Sequence, residues 1–365
     1  MIRITKSEKL PPVQYKPNPP FGTIFTPHVL KMELTLDGPA DFHAQIIPLT
    51  DEPFPCTASV LHYGQSIFEG MKSYRQKDGD VAIFRADLHA QRFRNSAKRM
   101  VLREIPEDIF LQCLREYTAF VADNVPSEPN HSLYLRPLLM AADRKIKVGA
   151  SQKDLFYIMS SIAGGYFGPA AHGGSSVGGT RARVMVCRDF VRAFPHGLGE
   201  VKTAANYAAS IWPQRLAAQK ECDQVLFLDA VEHEYIDELG GMNFCAIRGK
   251  DLVTPALNGC ILDGVTRRSL LEIAPQLGLS PVETRMSFSE LRADIKSGRV
   301  TEVFACGTAA IVSPIGEIYF QEKANREGET LRLPPESKVA LDLRDKLGRV
   351  QRGHDPAPGD WLLKV

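Results

Sequence analysis

Residues 164–179 split this chain in two. Gly164-Gly165-Tyr166-Phe167-Gly168-Pro169 is followed by Gly173-Gly174-Ser175-Ser176-Val177-Gly178-Gly179, a run of small residues with the composition of a flexible connection. With 365 residues, 44% of them hydrophobic, the chain exceeds a usual single core and can fill two. Strand-like and helix-like patterns occur on both sides of the break. The fold class expected is α+β for the first part and mixed α/β for the second. The expected organisation is a small domain over residues 1–168 with an N-terminal arm, a connecting loop over 169–179 and a larger domain over 180–365.

Pro11, Pro12, Pro17, Pro19 and Pro20 bar regular structure from the first twenty residues, which read as an arm over the surface. Periodicity then predicts strands over 31–36, 81–85, 133–141 and 154–163 and helices over 87–102 and 106–124. In the second half it predicts strands over 182–188, 224–228 and 301–306 and helices over 207–219, 266–277, 287–297 and 336–351.

Charge excludes some functions. The 44 basic and 43 acidic residues leave a net charge of +1, with no general attraction to nucleic acid or an anionic membrane. The seven cysteines are odd in number and form no Cys-x-x-Cys pair, which points to a reducing compartment. No signal-peptide core and no apolar stretch of membrane-spanning length is present, so a cytoplasmic protein is expected. The nine histidines show no ligand spacing, and no metal is expected.

Two segments carry chemistry. In Gly199-Glu200-Val201-Lys202-Thr203-Ala204-Ala205-Asn206-Tyr207, Lys202 stands among small, mostly apolar residues. Desolvation there favours a neutral amine, the form that attacks an aldehyde to give a Schiff base. In Ile236-Asp237-Glu238-Leu239-Gly240-Gly241-Met242-Asn243, Glu238 is a carboxylate fixed among apolar and glycine residues. Pyridoxal 5'-phosphate needs both: a lysine for its aldehyde and a carboxylate against its protonated ring nitrogen. Asp263-Gly264-Val265-Thr266, just before the helix expected from Arg267, suits its phosphate, because helix N-terminal amides face outward and Gly264 allows close approach; Thr266 reads equally as an ordinary helix cap. Tyr134 and Arg136 alternate along a strand and project from one face, a geometry for gripping a carboxylate.

These segments, with Leu61-His62-Tyr63-Gly64-Gln65-Ser66-Ile67-Phe68-Glu69-Gly70-Met71-Lys72, Phe84-Arg85-Ala86-Asp87-Leu88-His89-Ala90-Gln91-Arg92-Phe93, Gly264-Val265-Thr266-Arg267 and Cys306-Gly307-Thr308-Ala309-Ala310, resemble the class IV pyridoxal phosphate aminotransferases, in particular the branched-chain amino acid aminotransferases. The resemblance runs from about residue 20 to the end. It implies the two-domain fold-type IV architecture, with a barrel-like second domain that binds the cofactor. It also implies transfer of the amino group of L-leucine, L-isoleucine or L-valine to 2-oxoglutarate, reversibly, in the synthesis or breakdown of those amino acids.

By the same resemblance Lys202 is the catalytic residue, Glu238 meets the ring nitrogen and Tyr207 the 3-oxygen. Arg92, Val265, Thr266, Gly307 and Thr308 would hold the phosphate. Tyr134, with the backbone of Thr308 and Ala309, would take the substrate α-carboxylate, and Arg136 the second carboxylate of glutamate. Phe68, Tyr63 and Tyr166 would line the side-chain pocket, with Tyr63 from the neighbouring subunit of a homodimer. Two departures stand out: Gly241 replaces a threonine of some relatives, and Ala310-Ile311-Val312-Ser313 replaces their Cys-x-x-Cys, so no thiol switch is expected there. Three alternatives remain: a D-amino acid aminotransferase, which would carry Arg-x-His where this chain has Arg136-Pro137-Leu138; an aminodeoxychorismate lyase; and a non-enzymatic phosphate-binding α/β protein.

Overall fold

Alternation of buried and exposed side chains lays down the first sheet, as in Phe42, Ala44 and Ile46 inward against His43 and Gln45 outward. The structure is a computed structural model and describes residues 2–16, 19–38, 41–50, 54–129, 131–164, 181–322 and 327–365. It divides into a unit of Met1–Tyr166, Val201–Ala205 and Val350–Val365 and a unit of Phe167–Glu200 and Asn206–Arg349. The expected connecting loop over 169–179 lies outside the described residues.

In the first unit the strands are β1 (Ile2–Lys6), β2 (His28–Thr35), β3 (Phe42–Pro48), β4 (Ser66–Phe68), β5 (Met71–Arg75), β6 (Val81–Phe84), β7 (Ser132–Ala141) and β8 (Lys153–Ala163), with helices α1 (Ser59–Tyr63), α2 (Ala86–Met100) and α3 (Glu107–Phe120). Their order is β1-β3-β2-β8-β7-β5-β6, with β4 also on β7. Strand β1 departs from the expectation of an irregular, proline-rich arm. Its five residues precede the first proline and pair in parallel with β3.

Helices α2 and α3 pack on this sheet through an aromatic cluster. Phe93 of α2 lies 4.8 Å from Phe110 of α3 and 5.7 Å from Phe156 of β8, ring centre to ring centre. Tyr117 of α3 donates its hydroxyl to the carbonyl of His28 at 2.8 Å and meets Ser160 at 2.9 Å, which fixes the helix to β2 and β8.

The second unit contains β9 (Ala182–Cys187), β10 (Gln224–Leu228), β11 (Ile236–Leu239), β12 (Asn243–Arg248), β13 (Asp251–Pro255), β14 (Ser280–Thr284), β15 (Val300–Gly307), β16 (Ile311–Phe320) and β17 (Glu329–Arg332), with α4 (Ala204–Gln219), α5 (Val265–Ile273), α6 (Phe288–Ser297) and α7 (Lys338–Gln351). The sheet order is β11-β10-β9-β16-β15-β12-β13-β14, with β17 beside β16. Ser287 caps α6 by accepting the amide of Glu290, and Gly298 ends it in the left-handed region at φ 76°. The helix expected to run to Leu277 changes to a 3₁₀ turn at Ala274, because Pro275 brings no amide hydrogen. Helix α4 starts three residues before the expected Tyr207, on Ala204 and Ala205, which favour helix.

The last strand, β18 (Leu362–Lys364), returns to the first unit and pairs with β6. Residues 350–365 therefore count with the first unit, whereas chain order assigns them to the second domain. Among the described residues no helix is long and apolar enough to cross a membrane, and no group of three or more His, Cys, Asp or Glu stands ready for a metal.

Truncating Phe110 to Ala should cost about 3–5 kcal/mol, because its ring is fully buried between Phe93 and Phe156 and leaves a cavity. Urea unfolding followed by circular dichroism measures this.

Candidate active site

Pro137 shapes the site of the first unit. It lies inside β7, yet it has no amide hydrogen to give the neighbouring strand. That neighbour is broken at this point: β4 pairs with Leu138–Met140 and β5 with Leu133–Leu135, while Glu69 and Gly70 lie between. The Glu69 amide crosses to the Pro137 carbonyl at 2.9 Å.

The break turns the Glu69 carboxylate inward to full burial. His89 Nδ1 lies 2.6 Å from one oxygen, and Arg92 grips both, with Nε at 2.6 Å and Nη2 at 2.8 Å. His89 and Arg92 are one turn apart on α2, so they share a face. Burial pushes the Glu69 carboxyl up, but the charges and hydrogen bonds of Arg92 and His89 outweigh it and hold it well below the usual carboxylate range. For His89 burial wins over Glu69 and lowers its pKa, helped by Arg92 and Lys202. His89 is thus neutral near pH 7 and donates to Glu69 from Nδ1.

Lys202 is anchored on the other side of β4. The Phe68 amide donates to its carbonyl at 3.0 Å, its amide donates to Ser96 Oγ of α2 at 3.2 Å, and Thr203 Oγ1 donates to the Ser66 carbonyl at 2.8 Å. These bonds explain why Val201–Ala205 belongs to the first unit, although chain order assigns Lys202 to the second domain. The Lys202 ammonium lies 4.9 Å from the Phe68 ring centre, and the Arg136 guanidinium lies 4.6 Å from the same centre. Arg136 Nη2 donates to the Tyr134 hydroxyl at 3.0 Å, so the structure brings these two residues together as the strand alternation predicts. Gly70 makes room: a Cβ there would stand 1.9 Å from the Tyr134 hydroxyl. Tyr63 of α1 is 41% exposed. Tyr166 lies outside the described residues.

A second cluster occupies the second unit. Glu238 on β11 is buried, and Arg192 Nη2 meets its Oε1 at 2.8 Å. The Leu262 amide donates to Oε1 at 3.2 Å and Asn243 Nδ2 to Oε2 at 2.8 Å. Arg192 is itself held by the carbonyls of Gly199 and Cys260. Asn243 also donates to the Leu262 carbonyl at 2.9 Å, and a Cβ on Gly264 would stand 1.9 Å from its oxygen, so the loop before α5 is drawn tight against Asn243.

Gly264, rather than Thr266, is the N-cap of α5, and it brings no capping side chain. The helix therefore begins at Val265, one residue before the predicted 266, with Val265 and Thr266 in its first turn, where amides point out of the helix end. Thr308 and Ala309 sit in the turn between β15 and β16, just after Gly307. Tyr207 approaches Gly241: its ring would lie 3.7 Å from a Cβ there, an ordinary contact, so the site would accept the first atom of a threonine.

Each cluster by itself suits a part of pyridoxal phosphate: in the second unit a buried carboxylate held by three donors suits a ring N–H and a helix end without a side-chain cap suits a phosphate, and in the first unit a half-buried lysine suits an aldehyde. Sequence reasoning finds no role for Glu69, His89 or Arg192, since single charges read as solvated. The available signal is the spacing of His89, Arg92, Phe93 and Ser96 on one helical face.

The family model for class IV amino-transferases matches residues 66–318. A probable branched-chain-amino-acid aminotransferase of Streptomyces coelicolor is 39% identical over 94% of this chain and 92% of its own length. The branched-chain-amino-acid transaminase 1 of Bacillus subtilis is 36% identical over the full length of both. The crystal structure of the Escherichia coli branched-chain amino acid aminotransferase superposes with a TM-score of 0.69 at 25% identity, covering 87% of this chain and 96% of that one.

The buried Glu69 pair gives two predictions. Glu69→Ala leaves a buried arginine without its counter-charge and should destabilise the protein by about 3–5 kcal/mol in chemical unfolding. His89 has a lower pKa folded than unfolded, so its contribution is complete above the unfolded value of about 6.5 and is lost as pH falls below it. The melting temperature should therefore drop from about pH 7.5 to 5.5, and His89→Asn should flatten that slope.

The matched model, the full-length relatives and the shared fold-type IV architecture agree, and the chain belongs to the class IV aminotransferases, in the branched-chain amino acid aminotransferase family.

Proposed function

We propose that this enzyme uses pyridoxal 5'-phosphate to move the amino group of L-leucine, L-isoleucine or L-valine to 2-oxoglutarate, reversibly and by ping-pong kinetics. The observation that carries this reading is the Phe68 ring with the Lys202 amine on one contact and the Arg136 guanidinium on another. An apolar wall beside a permanent cation accepts both a branched alkyl chain and a second carboxylate. The names of the full-length relatives support the substrate class.

Bound pyridoxal phosphate supplies an electron sink for the pair left at Cα when the α-proton departs. Lys202 Nζ would hold the cofactor aldehyde, and its amine would take the substrate α-proton as general base. Glu238, fixed by Arg192, Asn243 and the Leu262 amide, accepts the ring N–H. Tyr207 donates to the 3-oxygen. Arg92, the amides of Val265 and Thr266, and Gly307 with Thr308 hold the phosphate. Tyr134 and the Thr308-Ala309 backbone take the α-carboxylate, Arg136 the second carboxylate, and Phe68, Tyr63 and Tyr166 the alkyl chain.

The enzyme acts as a homodimer in this reading, with Tyr63 completing the neighbouring subunit's pocket. The exposed Leu61 and Tyr63 of α1, at 60% and 41%, support a covering partner. Seven free cysteines support a cytoplasmic location.

The purified protein should be yellow, L-leucine alone should bleach it, and D-alanine should not. Bleaching by D-alanine only would transfer the reading to D-specific enzymes, and colour indifferent to both would favour a lyase. Lys202→Ala should end exchange of the leucine α-proton with solvent.

A further inference from the structure

Arg192 lies between β9 and α4 and is 7% exposed. Its Nη2 reaches three oxygens: Glu238 Oε1 at 2.8 Å, the Gly199 carbonyl at 2.9 Å and the Cys260 carbonyl. The two carbonyls come from chain segments that already touch, since a Cβ on Gly199 would stand 2.4 Å from the Cys260 backbone. Arg192, Gly199, Glu238 and Cys260 all belong to the second unit.

Placing Glu238 does not require a cation. The Leu262 amide and Asn243 Nδ2 each hold one of its oxygens, and both are neutral donors. Arg192 adds charge. The other titratable and charged groups around this carboxylate lie on four elements. On β15 the Cys306 thiol is raised well above its usual range, first by its hydrogen bond with Cys245 of β12 and then by burial, with the Glu238 charge adding to the effect. Arg267 of α5 pulls the same thiol down. Asp237, next to Glu238 on β11, is raised by burial against the pull of Asn258 and Arg192. Tyr207 of α4 approaches Gly241, three residues along the chain.

A buried carboxylate held by neutral donors alone is drawn toward protonation near neutral pH, whereas a guanidinium in contact keeps it charged. We propose that Arg192 is a positioning residue that keeps Glu238 anionic and thereby sets the pH range over which the protein binds a protonated pyridine ring. The proposal rests on the cofactor reading above, in which Glu238 accepts the ring N–H. Protonated, Glu238 would offer that N–H no charge, and the cofactor would be held more weakly on the acid side of neutrality.

The test titrates pyridoxamine 5'-phosphate into the full-length protein freed of cofactor and follows intrinsic fluorescence. This probe has the ring nitrogen and the phosphate but no aldehyde for Lys202. At about pH 6.5 Arg192→Met should bind it about tenfold more weakly than wild type, the size of one charge-assisted hydrogen bond. Toward about pH 8.5 the ratio of the two Kd values should shrink several-fold, as Glu238 of the variant loses its proton; the probe's own titrations cancel in that ratio. Arg192→Lys restores a cation and should stay within about threefold of wild type throughout.

Because Arg192→Met leaves a buried carboxylate without its cation, a second comparison sets Arg192→Met/Glu238→Gln, in which both partners are neutral, against Glu238→Gln. If Arg192 acts through the charge on Glu238, these two bind the probe within about twofold of each other. An Arg192→Met Kd within about twofold of wild type at about pH 6.5, a ratio that stays constant with pH, or a further tenfold loss in the double variant would overturn the proposal. A wild-type protein that does not bind the probe would remove the cofactor reading itself, and this proposal with it.

Discussion

The first unit depends on one buried carboxylate. Glu69 is fully enclosed, and its charge is tolerable only because Arg92 grips both oxygens and His89 donates to one. Its backbone sits in the break that Pro137 forces between β4 and β5, and its side chain ties that break to α2. From there the constraint spreads: β4 carries Phe68, whose amide holds the Lys202 carbonyl, and α2 carries Ser96, which receives the Lys202 amide. The lysine, the Phe68 ring and Arg92 are placed by one set of bonds. A well-packed apolar cluster would serve stability as well or better. A buried charge network in its place holds the Arg92 guanidinium at a defined angle.

The second unit repeats the device with other parts. Glu238 is also buried against an arginine, and Arg192 is in turn fixed by two carbonyls. Asn243 then links Glu238 to the loop that opens α5, and Gly264 is obligatory there because no Cβ fits beside the Asn243 oxygen. A carboxylate and a helix N-terminus are thus locked into one spacing by a single amide side chain.

How much of this is legible in the sequence depends on whether the cause is local. The helices α2, α3 and α6 are visible because their buried positions recur at helical spacing and Ser287 with Glu290 marks a start. Motif spacing singles out Lys202, Glu238, Tyr134 and Arg136, of which the structure buries Glu238 and joins Arg136 to Tyr134. Glu69, His89 and Arg192 are not singled out, since a lone charge looks the same whether it ends in water or in the core. The assignment of Lys202 to the first unit is also hidden, because it rests on bonds to Ser66, Phe68 and Ser96, more than a hundred residues earlier in the chain. The start of α5 is not legible, because Thr266 reads as its cap by residue type whereas Gly264 takes that position.

The C-terminal segment shows most clearly why chain order misleads about domains. Without β18 the strand β6 would be a sheet edge with unpaired amides and carbonyls, an invitation to association. β18 closes that edge, and Trp361 just before it accepts the Arg85 amide at its carbonyl at 2.7 Å, while its ring lies 4.3 Å from the Arg85 guanidinium and 5.7 Å from the Phe84 ring. Arg85 is the left-handed cap of α2, the helix that bears His89 and Arg92. The final residues of the chain therefore brace the start of the helix on which the Glu69 network is built. A fragment ending after β8 would lack this brace for α2.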